Sequence, residues 1–195
     1  MAAEPDTEDE LVHDILDFWF GPPGPDGEFP ARETWWKPNP AHDAECEERF
    51  GGACVQAASG DLDPWMETAA GCLALVLLLD QFPRNIHRGT ADAFACDAKA
   101  RDVARHALDR GFDAGLAKAR RLFLYLPFEH SEDIADQDRA VALISALGSA
   151  QWADYAERHR VIVARFGRFP HRNAILGRAS TDEEIAFLAE PGSSF

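Results

Sequence analysis

Eleven consecutive residues, Ala69 to Leu79, carry no charge, and Asp80 ends the run. A bilayer span needs about 20 such residues, so this run is too short to cross a membrane. A segment that is apolar on every side packs inside a fold. The run therefore predicts a buried helix, and the rest of the chain has to supply the helices around it.

The flanking sequence is punctuated for that purpose. Thr7 with Glu10 forms a capping-box pattern, and Leu11, Ile15, Phe18 and Trp19 follow at helical spacing. Gly21-Pro22-Pro23-Gly24-Pro25 stops that helix and opens a Pro/Gly-rich loop over residues 21–40, with Trp35 and Trp36 placed to pin it to the core. Asn39 before Pro40 predicts a second helix, ending near Ser59-Gly60. Asp63-Pro64 repeats the start signal, and the third helix carries the apolar run until Pro83 ends or kinks it. Further helices are expected over Asp92–Arg110 with Gly111 as the stop, over Ala114–Leu126 closed by Pro127, from Ser131 with Asp133 in its first turn to about Leu147, and over Ala150–Phe166 before Gly167. Ser180 with Glu183, or Thr181 with Glu184, is a capping box for the last helix.

No segment alternates apolar and polar residues long enough to make a strand. The expected fold is all-α: a single domain over residues 1–195, with residues 1–7 flexible, built from eight or nine helices stacked as antiparallel hairpins. The pair from Asp92 to Leu126 spans about 35 residues, near the 34-residue tetratricopeptide period, although the full repeat signature is absent.

Charge narrows the partners. The formal net charge is −15, and it sits in the first third: residues 1–67 hold 17 acidic and 3 basic side chains, whereas residues 68–195 are nearly balanced. Such a surface repels nucleic acid and anionic membranes. The start is acidic where a secretory leader would be basic. Cys46, Cys54, Cys72 and Cys96 lack CxxC spacing and read as small core residues in a reducing compartment. A cytoplasmic protein without a metal or other cofactor is expected.

Three segments concentrate polar and aromatic residues at predicted helix ends: Leu79–Asn85 with Arg88, Tyr125–Ser131, and Arg165–Asn173. Phe82-Pro83-Arg84-Asn85 is echoed by Phe169-Pro170-His171-Arg172-Asn173. An Arg-Asn pair offers charge plus an amide that donates and accepts, so two pairs facing one pocket would hold a bidentate anion. The plainer alternative is that each Arg pairs with a nearby acid, as the i, i+4 spacing of Asp80 and Arg84 allows, and each Asn serves the fold. Glu129-His130 is the best acid–base candidate, provided the chain turns after Pro127, since adjacent helical residues do not face each other. His159 shares a helix face with Trp152, Ala156, Val163 and Phe166; buried there, it would need a partner such as Glu129 or a backbone carbonyl. HExxH, Walker A, GxSxG, GxGxxG and the ExxH spacing of di-iron bundles are all missing.

These segments also carry a resemblance. LALVLLLDQFPRNIHRGTADAFACD, RLFLYLPFEHSEDIADQDRAV and HRVIVARFGRFPHRNAILGRASTDEEIAFL, with DFWFGP near the start and PGSSF at the end, resemble the bacterial domain of unknown function 924 family over Leu11–Phe195. The resemblance implies a tetratricopeptide-like all-helical fold and no established activity. One minor departure is His87, where an aromatic such as Phe or Tyr is expected.

Two functional expectations follow. In the first, Asp80, Glu129, His130 and His159 serve acid–base chemistry, while Arg84, Asn85, Tyr125, Arg168, Arg172 and Asn173 hold a small carboxylate or phosphate, as in a hydrolase or lyase. In the second, the same Arg-Asn pairs grip the carboxylates of a peptide partner on a tetratricopeptide-like stack.

Overall fold

The computed structural model describes residues 7–193, with side chains from Glu10 onward. Of the start expected to be flexible, residues 1–6 lie outside the described positions and Thr7 already belongs to a helix; the Thr7 side chain of the expected capping box and the last two residues of the tail are also outside them. Every regular element among the described residues is helical, so the chain is all-α. No helix there is long and apolar enough to cross a membrane.

Local chemistry sets most boundaries. Helix α1 (Thr7–Phe20) gives way to Gly21 at φ +68°. Helix α2 (Pro40–Ser59) starts at Asn39, whose side chain accepts from the amides of Ala41 and His42, and ends at Gly60 in the left-handed region. Helix α3 (Ala69–Val76) is followed by a π-helical turn (Leu77–Gln81) and by α4 (Phe82–Ile86). Helices α5 (Asp97–Asp109), α6 (Lys118–Glu129), α7 (Ile134–Ser145), α8 (Ala150–Phe166) and α9 (Asp182–Leu188) complete the series.

Several boundaries differ from the sequence-based expectation. Asp63-Pro64 opens only a short 3-10 turn, Asp63–Glu67; the apolar helix has its own cap, Thr68, whose hydroxyl accepts from the Gly71 amide at 3.0 Å. The helix expected from Asp92 begins as a 3-10 turn, Ala91–Phe94, and becomes α-helical at Asp97. Pro127 lies inside α6 rather than after it. Two helical residues follow it, so the proline lies in the last turn of α6, where it offers no N–H to the i−4 carbonyl and the helix soon ends. Asp133, not Ser131, caps α7.

The chain divides into two compact units. The first holds residues up to Arg88 together with Asp92–Pro127; the second holds Gly89–Ala91 with the residues from Phe128 on. In the first, α3 packs against α1 and α5, and α2 packs against α4 and the π turn. Residues Cys72–Leu79 have no exposed surface, as their unbroken apolar character requires. The Pro/Gly-rich loop is pinned from its two tryptophans: Trp35 Nε1 donates to the Trp19 carbonyl at 2.9 Å, and Trp36 stacks on Phe123.

In the second unit, α7 and α8 form a hairpin about Gly148 and Ser149, the α8 cap. Arg160 reaches Asp138 at 2.6 Å, the register expected when residues equidistant from the turn meet. Ile162, Val163 and Phe169 form one buried apolar cluster of this unit, joined by Phe166 and Phe187.

Candidate functional site

Helix α6 ends at Glu129, and the chain then turns, with the Ser131 amide donating to the Phe128 carbonyl at 3.2 Å. After this turn the Glu129 carboxylate meets His159 on α8. Its Oε1 lies 3.4 Å from His159 Nδ1, and both side chains are less than a tenth exposed. His159 Nδ1 also lies 2.8 Å from the Tyr155 carbonyl one turn back on α8. A carbonyl only accepts, so Nδ1 carries the hydrogen and the neutral ring has its lone pair on Nε2.

Four further side chains gather around this pair. The His130 ring lies 6.4 Å from that of His159, centroid to centroid. Phe169 meets the His159 ring edge-on at 5.7 Å and the His171 ring at 5.6 Å. Arg172, itself 6 % exposed, donates from Nη1 to the His130 carbonyl at 3.0 Å and lays its guanidinium 4.5 Å from the Phe169 centroid. Burial, reinforced by His130, Arg172 and His171, pushes His159 down to about 3. Burial and the adjacent Arg172 bring His171 down to about 4. Two imidazoles, those of His159 and His171, are thus held neutral beside the buried Arg172 guanidinium and the buried Glu129 side chain. Among the described residues, no group of three or more His, Cys, Asp or Glu is arranged to hold a metal ion.

The remaining candidates have identifiable local partners. Arg168 pairs with Glu184 through Nε at 2.6 Å and Nη2 at 2.8 Å, and its bonds, with the Thr181 amide, hold the Glu184 carboxyl down to about 2. This ties Arg168 to the α9 capping box, in which Thr181 and Glu184 take the expected roles. Asn173 donates to Ser180 and accepts from Arg178. Arg178 in turn forks onto Glu132, which also receives the Phe169 amide. Burial would raise the Glu132 carboxyl, but these bonds outweigh it and keep it low.

In the first unit, Asp80 is fully buried on the π turn and receives the Gln81 side-chain amide. Arg84 reaches Asp80 at 3.2 Å and forks onto Asp97 at 2.9 and 3.0 Å. The i, i+4 pair suggested by the sequence is therefore formed, with Asp97 as a second acid. Asn85 donates to Asp43, which Arg88 also grips. The Tyr125 hydroxyl donates to Asp113 and accepts from Arg121, and burial with the Asp113 bond raises it to about 12. Both Asn side chains of the echoed motifs thus serve the fold.

Three participants were not singled out from sequence: His171, Glu132 and Gln137. Gln137 lies in the buried stripe Gln137–Ala140–Ile144 of α7, and an amide on such a stripe is the signal that points to it.

The model of the DUF924 family, bacterial proteins of unknown function, matches residues 15–192, and the chain belongs to that family. A solved structure, that of the protein of unknown function ATU0120 from Agrobacterium tumefaciens, is similar with a TM-score of 0.85 and 47 % sequence identity, covering 94 % of this chain and 99 % of that one. No match is found among curated proteins.

Proposed function

We propose that this member of the DUF924 family binds a small anionic metabolite, a carboxylate or a phosphate, at the cluster of Glu129, His130, His159, His171 and Arg172. One observation carries the reading: the neutral imidazoles of His159 and His171 lie close to the buried Arg172 guanidinium. An arriving anion adds to Arg172 the counter-charge that makes protonating an imidazole favourable, so binding and proton uptake reinforce each other. His159, with its lone pair on Nε2, or Glu129 is then the base for a hydrolase- or lyase-type step.

The peptide-gripping alternative has less support, because Asn85, Asn173 and Arg84 spend their polar groups inside the fold. A tetratricopeptide-like architecture remains part of the reading: the α7–α8 hairpin, Ile134–Phe166, is close in length to one such repeat of about 34 residues. A cytoplasmic location also belongs to it, supported by four free cysteines.

Thermal unfolding against a panel of phosphates and carboxylates tests the site, with Arg172→Ala in parallel. Saturation at a hundred times the dissociation constant adds about 2.7 kcal/mol, or roughly 5–10 °C for a chain of this size. A shift of that order, larger at pH 6 than at pH 8 and lost in Arg172→Ala, is the expected result. A flat panel, or a shift that survives Arg172→Ala, overturns the assignment.

A further inference from the structure

Gln137 has no exposed surface. Its amide nitrogen donates to two main-chain oxygens, those of Glu129 and Ser131, each at 2.6 Å. Arg172 takes the carbonyl between them, that of His130. Two side chains thus hold three successive carbonyls at the end of α6, where a helix leaves its last acceptors without intrahelical donors. The amide orientation is set by this network, since a flipped amide would bring its oxygen against two carbonyl oxygens. The other amide atom, Oε1, is buried and has no hydrogen-bond partner among the described residues. An apolar side chain of similar length would fill the same space without burying an unsatisfied acceptor. Packing therefore does not account for a glutamine here; its two donated bonds do.

We propose that Gln137 is the positioning residue of the candidate site: it sets the Glu129–His130–Ser131 turn so that the Glu129 carboxylate meets His159 and the His130 ring lies beside them. The inference rests on the anion-site reading only for what the turn is positioned to do. Positioning itself is measurable without a ligand.

Histidine-selective NMR titration of the full chain tests it, using wild type, Gln137→Met and Gln137→Glu. Methionine keeps the length without the donor, and glutamate keeps the shape while replacing the donor with oxygen. In both variants the midpoints of His130 and His159 move by roughly 1 pH unit, the spread that local environment ordinarily imposes. His42 and His106, in the first unit, keep theirs. Unmoved His130 and His159 curves overturn the proposal, and so does a common movement of all four histidines, the mark of general loosening. A wild-type measurement guards against variants that do not fold: both Gln137 side-chain NH protons exchange slowly when donated to carbonyls, and fast exchange overturns the assignment. Inorganic phosphate added to wild type separates the two ideas. Moved midpoints with no phosphate response keep the role of Gln137 and discard the anion site; a phosphate response with unmoved midpoints does the reverse.

Discussion

Glu129 and His159 meet at 3.4 Å, carboxylate oxygen to Nδ1, in a place where neither is more than a tenth exposed. Despite that neighbour the imidazole stays neutral, because burial and the positive groups around it prevail.

This neutrality makes stability depend on pH. Folded-state values of about 3 for His159 and about 4 for His171 lie below the ordinary 6.5. Below pH 6.5 the unfolded chain takes up protons that the folded chain refuses. Stability is therefore full above about pH 6.5 and is lost as the pH falls towards 4 and 3, by about 1.4 kcal/mol per pH unit for each such histidine. Between pH 6.5 and 5 the carboxylates contribute little to the slope. Urea unfolding across that window should show the decline, and His159→Gln should roughly halve it, leaving the part due to His171. Equal slopes in both proteins would remove His159 as the source.

Arg84 serves two buried acids, Asp80 and Asp97. Taking a charge out of such a group leaves its partners poorly compensated and costs about 3–5 kcal/mol. Arg84→Met should lower the melting temperature by more than about 6 °C. Arg158→Ala, which breaks an exposed pair with Asp154, should change stability by at most about 1 kcal/mol. Similar melting curves for the two variants would show that burial does not set the difference.

Gly71 stands where a Cβ would lie 2.1 Å from the Trp65 carbonyl oxygen. Backbone, not a flexible side chain, would have to move. Gly71→Ala should destabilise by about 1–3 kcal/mol or more, although alanine is the better helix former. A melting temperature at or above that of wild type would refute the close approach.

The cysteines should be slow nucleophiles while the chain is folded. Burial, the leading cause, raises Cys46 and Cys54 to about 12 and Cys72 to about 11, and it raises Cys96 as well. Little thiolate is then present at neutral pH, and the thiolate is the reactive form. Alkylation at pH 7.5 followed by mass spectrometry should find the native thiols nearly unmodified and all four modified in urea. Rapid native labelling at Cys46 or Cys72 would contradict their burial.

Helix type and many helix ends were legible in the sequence because they are local. Asn39, Gly60, Gly111, Gly167 and the Thr181–Glu184 box act on backbone groups within four residues, so their effect is written beside them. The buried character of Ala69–Leu79 was equally plain, since a run without charge has no face to offer water. The boundaries that moved are those where a second local signal displaces the first or a stop is overrun: the Thr68 hydroxyl, accepting from the Gly71 amide, starts the apolar helix in place of Asp63-Pro64, and α6 runs through Pro127 to Glu129. The site depended on tertiary structure. From sequence, Glu129 had two candidate partners, its neighbour His130 and the distant His159; the fold placed its carboxylate against His159, 30 positions away, and gave Arg168 and Asn173 to the α9 end. Gln137 and Glu132 entered unannounced, because one gains its meaning from carbonyls on another element and the other from an arginine 46 residues distant. Local backbone chemistry decides where a helix starts and stops. Which charge meets which acid is decided by side chains far apart in the chain, and only packing brings them together.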